Sequence, residues 1–240
     1  MVELGCVDKH FDVAMLARFL VQPHEGHLQQ ALHILAYLKA HNKSTMVYND
    51  MKATIAESRF VKQDWREFYQ DAKKNIQLNA PGNTVQLNCF VDADHAGDHI
   101  THCSHTGVLI FANRAPIIRL LKQQNTAETL TFGSEFVALK IATEMIEALR
   151  YKLRMFGIPL DGPANLFCDN EAVMMNTTIP ELTLKKKHNS IAYHRVREAV
   201  AARVMLIVKE SSDTNIADML TKLLPGQKSY VKGIILTEET

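Results

Sequence analysis

The chain has 240 residues, 47% hydrophobic and 22% charged, an ordinary globular composition long enough for one sizeable core or one domain with a fragment of another. Lysine plus arginine (27) exceed aspartate plus glutamate (26) by one, which excludes a globally basic chain and confines any nucleic-acid surface to a local patch. The cysteines, Cys6, Cys89, Cys103 and Cys168, show no CxxC or CxxH spacing for zinc, and no apolar run approaches the roughly 18 residues of a membrane span.

In chain order, residues 8–42 read as two helices divided by Gln22-Pro23-His24-Glu25-Gly26. Phe11, Ala14, Met15, Ala17 and Leu20 recur at helical spacing in the first, and Leu28, Ala31, Leu32, Leu35 and Leu38 in the second. A short strand at 45–48 closes this N-terminal unit, residues 1–49. Residues 50–84 mix charge, Asn, Pro and Gly without a sustained period and read as a linker. From Val85 the pattern is that of strands, at 85–91, 105–111 and 116–121, the last two joined by a hairpin turn at 112–115. A long helix at 133–156 is stopped by Gly157 and Pro159. A strand at 164–168 runs into Asp169-Asn170-Glu171 and a short helix, and Lys185-Lys186-Lys187 precedes a helix at 189–201. A fifth strand at 204–208 and a helix at 214–223, capped by Asp213 or Thr214, complete the pattern. This order predicts an α/β domain over 85–226, a mixed five-stranded sheet flanked by helices, with a small helical segment before it and a tail at 227–240.

Certain carboxylates sit where this pattern expects apolar residues. In NCFVDADHAGD, residues 88–98, the run Cys89-Phe90-Val91 ends in Asp92, and Leu166-Phe167-Cys168 ends in the same way in Asp169. A lone Asp at a strand exit is ordinarily a turn former or, for Asp169, a helix N-cap. Glu135 lies on the apolar stripe of the long helix: at about 100° per residue, Leu139, Ala142, Ile146, Leu149, Leu153 and Phe156 fall within about 60° of it. Its competing account is a place in the first turn, where the helix dipole favours an acid. Asp218 is embedded between Ile216-Ala217 and Met219-Leu220, with a solvated helix face as the plain alternative. Functional groups collect where strands exit and helices start along one edge of an α/β sheet, and carboxylates meeting there require cations between them. All-oxygen ligands suit Mg2+ or Mn2+, and two such ions about 4 Å apart are the apparatus of phosphodiester hydrolysis. Asp94 and Asp98 read as turn residues.

The stretches CFVDADHAGD (89–98), SHTGVLIFANRAPI (104–117), FGSEFVALKIATE (132–144), FCDNEAV (167–173), KKKHNSIAYHRVRE (185–198) and ADMLTKLLPG (217–226) follow one another in a recognisable order. By them residues 85–226 resemble the ribonuclease H domain of copia-type retrotransposon polyproteins. FDVAMLARFLVQP and HILAYLKAH, within 11–42, are similar to the segment after the polymerase active site in the same polyproteins. The resemblance implies a ribonuclease H-like fold and two Mg2+ ions, or Mn2+ in their place, held by Asp92, Glu135, Asp169 and Asp218. It implies as substrate the RNA strand of an RNA/DNA hybrid, cut to leave a 5′-phosphate, and as partner the remainder of a reverse transcriptase polyprotein.

Ser104, Lys185, Lys186, Lys187, His188 and Arg195 are the candidate nucleic-acid contacts, with Arg197 in the same basic patch. A hybrid is held through 2′-hydroxyls and backbone, so no base-reading motif is expected. The start MVELGCVDKH has no basic segment followed by an apolar one, which points to an intracellular location, cytoplasmic or nuclear, rather than secretion. The absence of Tyr-x-Asp-Asp excludes a polymerase of this type. A decayed copy that binds hybrids without cutting them is the alternative. A small-molecule α/β enzyme finds no GxGxxG, P-loop or GxSxG to support it.

Overall fold

The computed structural model describes residues 7–42, 44–60, 64, 65, 67–69, 82–98, 101–125, 127, 128, 130–182, 190–222 and 236–238. Two helices, α1 (His10–Ala17) and α2 (Glu25–Ala40), open the chain where the sequence predicts them. Neither is deeply packed: α1 contributes no buried residue, and α2 buries Ile34 while Leu28, Leu32 and Leu35 stay exposed. The strand β1 (Ser44–Met46) follows. The described residues of 50–69 lie against the sheet domain rather than away from it. Lys52 Nζ donates to Asp161 Oδ2 (2.7 Å), the Ala53 N–H to Gln86 Oε1 (3.0 Å), and the Arg59 guanidinium to the Lys209 carbonyl (2.6 Å).

The domain is built from β2 (Leu87–Asp94), β3 (His105–Ala112), β4 (Ala115–Gln123), α3 (Thr131–Met155), β5 (Ala164–Cys168), α4 (Glu171–Thr178), α5 (Ser190–Ala201), β6 (Met205–Lys209) and α6 (Asp218–Thr221). Its strands lie in the order β4-β3-β2-β5-β6, with β2, β3 and β4 antiparallel and β5 and β6 parallel to β2. This is the mixed, open five-stranded sheet with flanking helices that the sequence predicts. The final strand, β7 (Leu236–Glu238), pairs antiparallel with β1, Ser44 opposite Glu238. Among the described residues no helix is long and apolar enough to cross a membrane.

Alternation along the strands divides the core in two. Cys89, Val91, Val108 and Ile110 pack with Phe136, Leu139, Ala142 and Ile146 of α3 and with Tyr193 and Val196 of α5. On the other face Leu109 and Phe111 pack with Ile216, Met219 and Leu220, joined by the half-buried Phe90.

Several boundaries differ from the sequence-based ones, each for a visible reason. Strand β2 runs on to Asp94, so Asp92 sits inside the strand opposite Gly107 rather than at its exit. The extension holds because Asp94 accepts from the His105 backbone N–H and lies 2.9 Å from His105 Nδ1, which makes it a cross-strand clamp, not a turn residue. Asp98 is likewise buried, accepting from Arg18, Thr101 and Gln123 Nε2 (3.0 Å), and so ties the end of α1 to the loop after β2. Phe156, expected on the apolar stripe, is 77% exposed, because it caps α3 where the chain already turns away through Gly157 at φ 70°. The last helix shrinks to Asp218–Thr221 with no side-chain cap from Asp213 or Thr214. Asn215 takes over instead: its Oδ1 accepts the Ala217 N–H (3.1 Å) and its Nδ2 donates to the Val91 carbonyl (3.0 Å), a side-chain turn that competes with helix.

Candidate metal centre

Each expected acid reaches the same end of the sheet by a different route. Asp92 comes from β2, and Asp169 follows the last residue of β5. The N-cap of α4 is Asn170, whose Oδ1 accepts the Val173 N–H (3.1 Å), so Asp169 is not engaged as a cap. Glu135 is the fifth residue of α3, which begins two residues earlier than the sequence predicts. It therefore lies beyond the first turn, and the helix dipole no longer accounts for it. Asp218 opens α6 and is buried, not on a solvated face.

Ligand oxygens of Asp92, Asp169 and Asp218 lie within 4.8 Å of one another, and so do ligand atoms of Glu135, Cys168 and Asp169. Asp169, half-buried, belongs to both groups and joins them, while Asp92, Glu135 and Asp218 are 1%, 4% and 3% exposed. Gly107 makes the approach of α6 possible. A Cβ there would stand 2.8 Å from Thr221 Cγ2, 3.0 Å from Leu220 Cβ and 3.2 Å from the Ala217 carbonyl. Gly107→Val is accordingly expected to cost about 1–3 kcal/mol in urea unfolding and to weaken thermal stabilisation by Mg2+. Ile110→Val, on the opposite face of the same strand, should lower stability and leave the metal response intact.

Two polar residues that the sequence reading did not single out complete the site. The Thr221 hydroxyl donates to Asp92 Oδ2, and Lys222 Nζ lies 3.0 Å from Asp218 Oδ1 and 3.3 Å from Asp92 Oδ2. A lysine four residues after Asp218 on a helical run was the available signal. Burial pushes the Asp92 carboxyl up to about 6, opposed by the Lys222 charge and the Thr221 hydrogen bond and reinforced by the charges of Asp218 and Asp169. Burial, then the charges of Asp92 and Asp169, drive Glu135 well above the carboxylate range. Partial burial lowers the Lys222 pKa, but Asp92 and Asp218 more than reverse it and hold the ammonium above its ordinary value.

One lysine does not balance these acids, and Glu135 Oε2 is buried with no hydrogen-bond partner among the described residues. An oxygen-rich set with surplus negative charge and an orphaned acceptor fits a hard divalent cation.

Of the candidate nucleic-acid contacts, Ser104, Arg195 and Arg197 lie among the described residues. Ser104 is fully buried, its Oγ accepting the Ala96 N–H (3.1 Å), so its hydroxyl braces the loop after β2. Arg195 pairs with Glu147 of α3. Arg197 is buried, its guanidinium donating to the carbonyls of Asn176 (2.9 Å), Ile179 (3.0 Å), Pro180 (2.5 Å) and Leu182 (3.1 Å), with its centre 4.8 Å from the Trp65 ring. It is an internal staple and leaves the basic patch. Lys185, Lys186, Lys187 and His188 lie outside the described residues.

No protein-family model matches the chain. It is 26% identical over 217 residues to the retrovirus-related Pol polyprotein from transposon RE1 of Arabidopsis thaliana, covering 90% of this chain and 13% of that protein. It is 28% identical over 143 residues to the corresponding polyprotein from transposon RE2 of the same plant (60% and 10%). A third relative, the polyprotein from transposon TNT 1-94 of Nicotiana tabacum, is 29% identical over 182 residues (71% and 14%). The chain thus spans 10–14% of the length of these curated relatives. Among solved structures it is similar to LC11-RNase H1, isolated from compost, at 16% identity over 57% of this chain and 92% of that chain, with a TM-score of 0.45. It is also similar to RNase H1 from the archaeon Halobacterium salinarum, at 15% identity over 57% and 94%, with a TM-score of 0.43. The polyprotein matches, two of which extend well beyond the sheet domain's share of the sequence, identify the chain as a homologue of part of the retrovirus-related Pol polyproteins of copia-type transposons.

Proposed function

We propose that the domain over 85–226 is a ribonuclease H that hydrolyses the RNA strand of an RNA/DNA hybrid, with Asp92, Glu135, Asp169 and Asp218 holding two Mg2+ ions, or Mn2+ in their place. The observation that carries this reading is the convergence of ligand oxygens of Asp92, Asp169 and Asp218 within 4.8 Å, joined through Asp169 to Glu135, whose Oε2 has no hydrogen-bond partner among the described residues. Divalent cations bound by these acids would lower the pKa of the attacking water and neutralise charge on the scissile phosphate.

The chain's own side chains prepare the site. Thr221 fixes one Asp92 oxygen by donating to it, and Lys222 bridges Asp92 and Asp218, keeping their oxygens turned toward a common point. Asp169, the least buried of the acids, and Lys222, whose side chain is 45% exposed, form the side open to a phosphate backbone. On this reading residues 1–49 are the tail of a reverse transcriptase, and the rest of that polyprotein is the natural partner.

The test is a labelled RNA/DNA hybrid incubated with the full chain. RNA fragments with 5′-phosphates are expected in Mg2+ and not in chelator, with single-stranded RNA and duplex DNA left intact. Salt-dependent hybrid binding with no Mg2+-dependent cleavage would overturn the enzyme reading in favour of a decayed, binding-only copy.

A further inference from the structure

Cys168, the last residue of β5, is buried beside the proposed Mg2+ site, and its sulfur, a Glu135 oxygen and an Asp169 oxygen all lie within 4.8 Å of one another. One observation sets this trio apart from the all-carboxylate cluster, and another points to a ligand within it. One donor is sulfur, which Mg2+ does not choose and which Zn2+ and Cd2+ do. The other is Glu135 Oε2, an acceptor 96% shielded at the residue level that nothing among the described residues donates to. The thiol itself is little engaged, its sulfur lying 3.9 Å from the Asn170 carbonyl.

We infer that Glu135, Cys168 and Asp169 form a second cation site, selective for thiophilic divalent ions such as Zn2+ or Cd2+, that shares two ligands with the proposed Mg2+ site. Binding there breaks the Cys168 S–H bond, sends the proton to solvent and forms a sulfur–metal bond, with no electron transferred. Three protein donors leave a fourth tetrahedral position for water. Because Glu135 and Asp169 serve both sites, a thiophilic ion and the Mg2+ pair exclude one another, and the thiophilic ion is an inhibitor. That last consequence rests on the ribonuclease reading; the binding itself does not.

The experiment is a Cd2+ titration of the full chain without nucleic acid, followed by the sulfur-to-cadmium charge-transfer absorption. Cys89 is fully buried in the apolar core, so the titration is made in a Cys6→Ser, Cys103→Ser background to leave Cys168 as the thiol in question. The band is expected to appear, to saturate at one ion per chain, and to require at least about tenfold more Cd2+ in Glu135→Gln. It should vanish in Cys168→Ser. Absence of the band with Cys168 present overturns the inference without recourse to any Cys168 variant, and a band that persists unchanged in Cys168→Ser overturns it as well. In hybrid cleavage assays, Zn2+ should compete with Mg2+, and inhibition indifferent to Mg2+ concentration would overturn the shared-ligand arrangement. A chain that shows the band yet cuts no hybrid supports the cation site while refuting the ribonuclease reading.

Discussion

Asp92→Asn is expected to lower hybrid cleavage on the order of 10³-fold or more and, at the same time, to make the metal-free chain more stable. The two effects share one cause. Asp92 is 1% exposed and its carboxyl is pushed up to about 6, against an ordinary value of 3.8. In chelator at pH 7 the folded state carries a charge it disfavours by about 3 kcal/mol. As pH falls through 6 toward 4, the native state takes up a proton that the unfolded chain does not yet bind. Stability from this group therefore rises on acidification and is lost again as pH climbs through 6. Asparagine carries no such charge, so the gain of the variant over the parent should be largest near pH 7 and fade below about pH 4. Mg2+ should reverse the order at pH 7, raising the melting temperature of the parent far more than that of the variant. Urea unfolding in chelator at pH 7 and pH 5, beside cleavage rates, checks both halves. A variant that cuts as fast as the parent would remove Asp92 from the site.

Arg197→Met should be the most destabilising single change outside that site, costing about 3–5 kcal/mol. It leaves the carbonyls of Asn176, Ile179, Pro180 and Leu182 without the guanidinium they share and takes a cation from between Trp65 and Tyr193, whose ring centres lie 4.8 and 4.7 Å from it. Lysine, with a compact ammonium and no plane to lie between rings, should recover only part of the loss. Urea unfolding measures the cost, and faster proteolysis near Trp65 would report that this residue has come loose. Variants that remain folded should keep the parent's salt dependence of hybrid binding, since Arg197 faces no phosphate. A reduced salt slope would return Arg197 to the basic surface.

The acids were legible in the sequence because each violated a local pattern. Asp92 and Asp169 closed apolar runs, Glu135 interrupted a helical stripe, and Asp218 sat among apolar neighbours; desolvation leaves that mark whatever the fold. The sheet was legible for the same reason, since alternation and turn residues are local. What escaped was set by partners distant in sequence. Nothing near Gly107 says that α6 will lie on it, and nothing in Thr221 announces that Asp92 will accept its hydrogen bond. Arg197 read as part of the basic patch because a helix periodicity does not record what lies above it, here a ring from residue 65 and carbonyls from the turn after α4. Asp94 and Asp98 read as turn formers because their partners, His105, Arg18 and Gln123, come from other elements.

The pairing of β1 with β7 has a consequence for how the molecule is made. Residues Ser44–Met46 leave the ribosome well before the strand they pair with, Leu236–Glu238. At roughly 5–20 residues per second, the first of these strands waits on the order of 10–40 s for its mate. During that interval its edge is bare. Asp218 also emerges late, so a nascent chain can fold β2 to β5 and still lack a complete set of acids. Translation thus imposes an order in which β2 to β5 come first, Asp218 joins them next, and the pairing of β1 with β7 comes last.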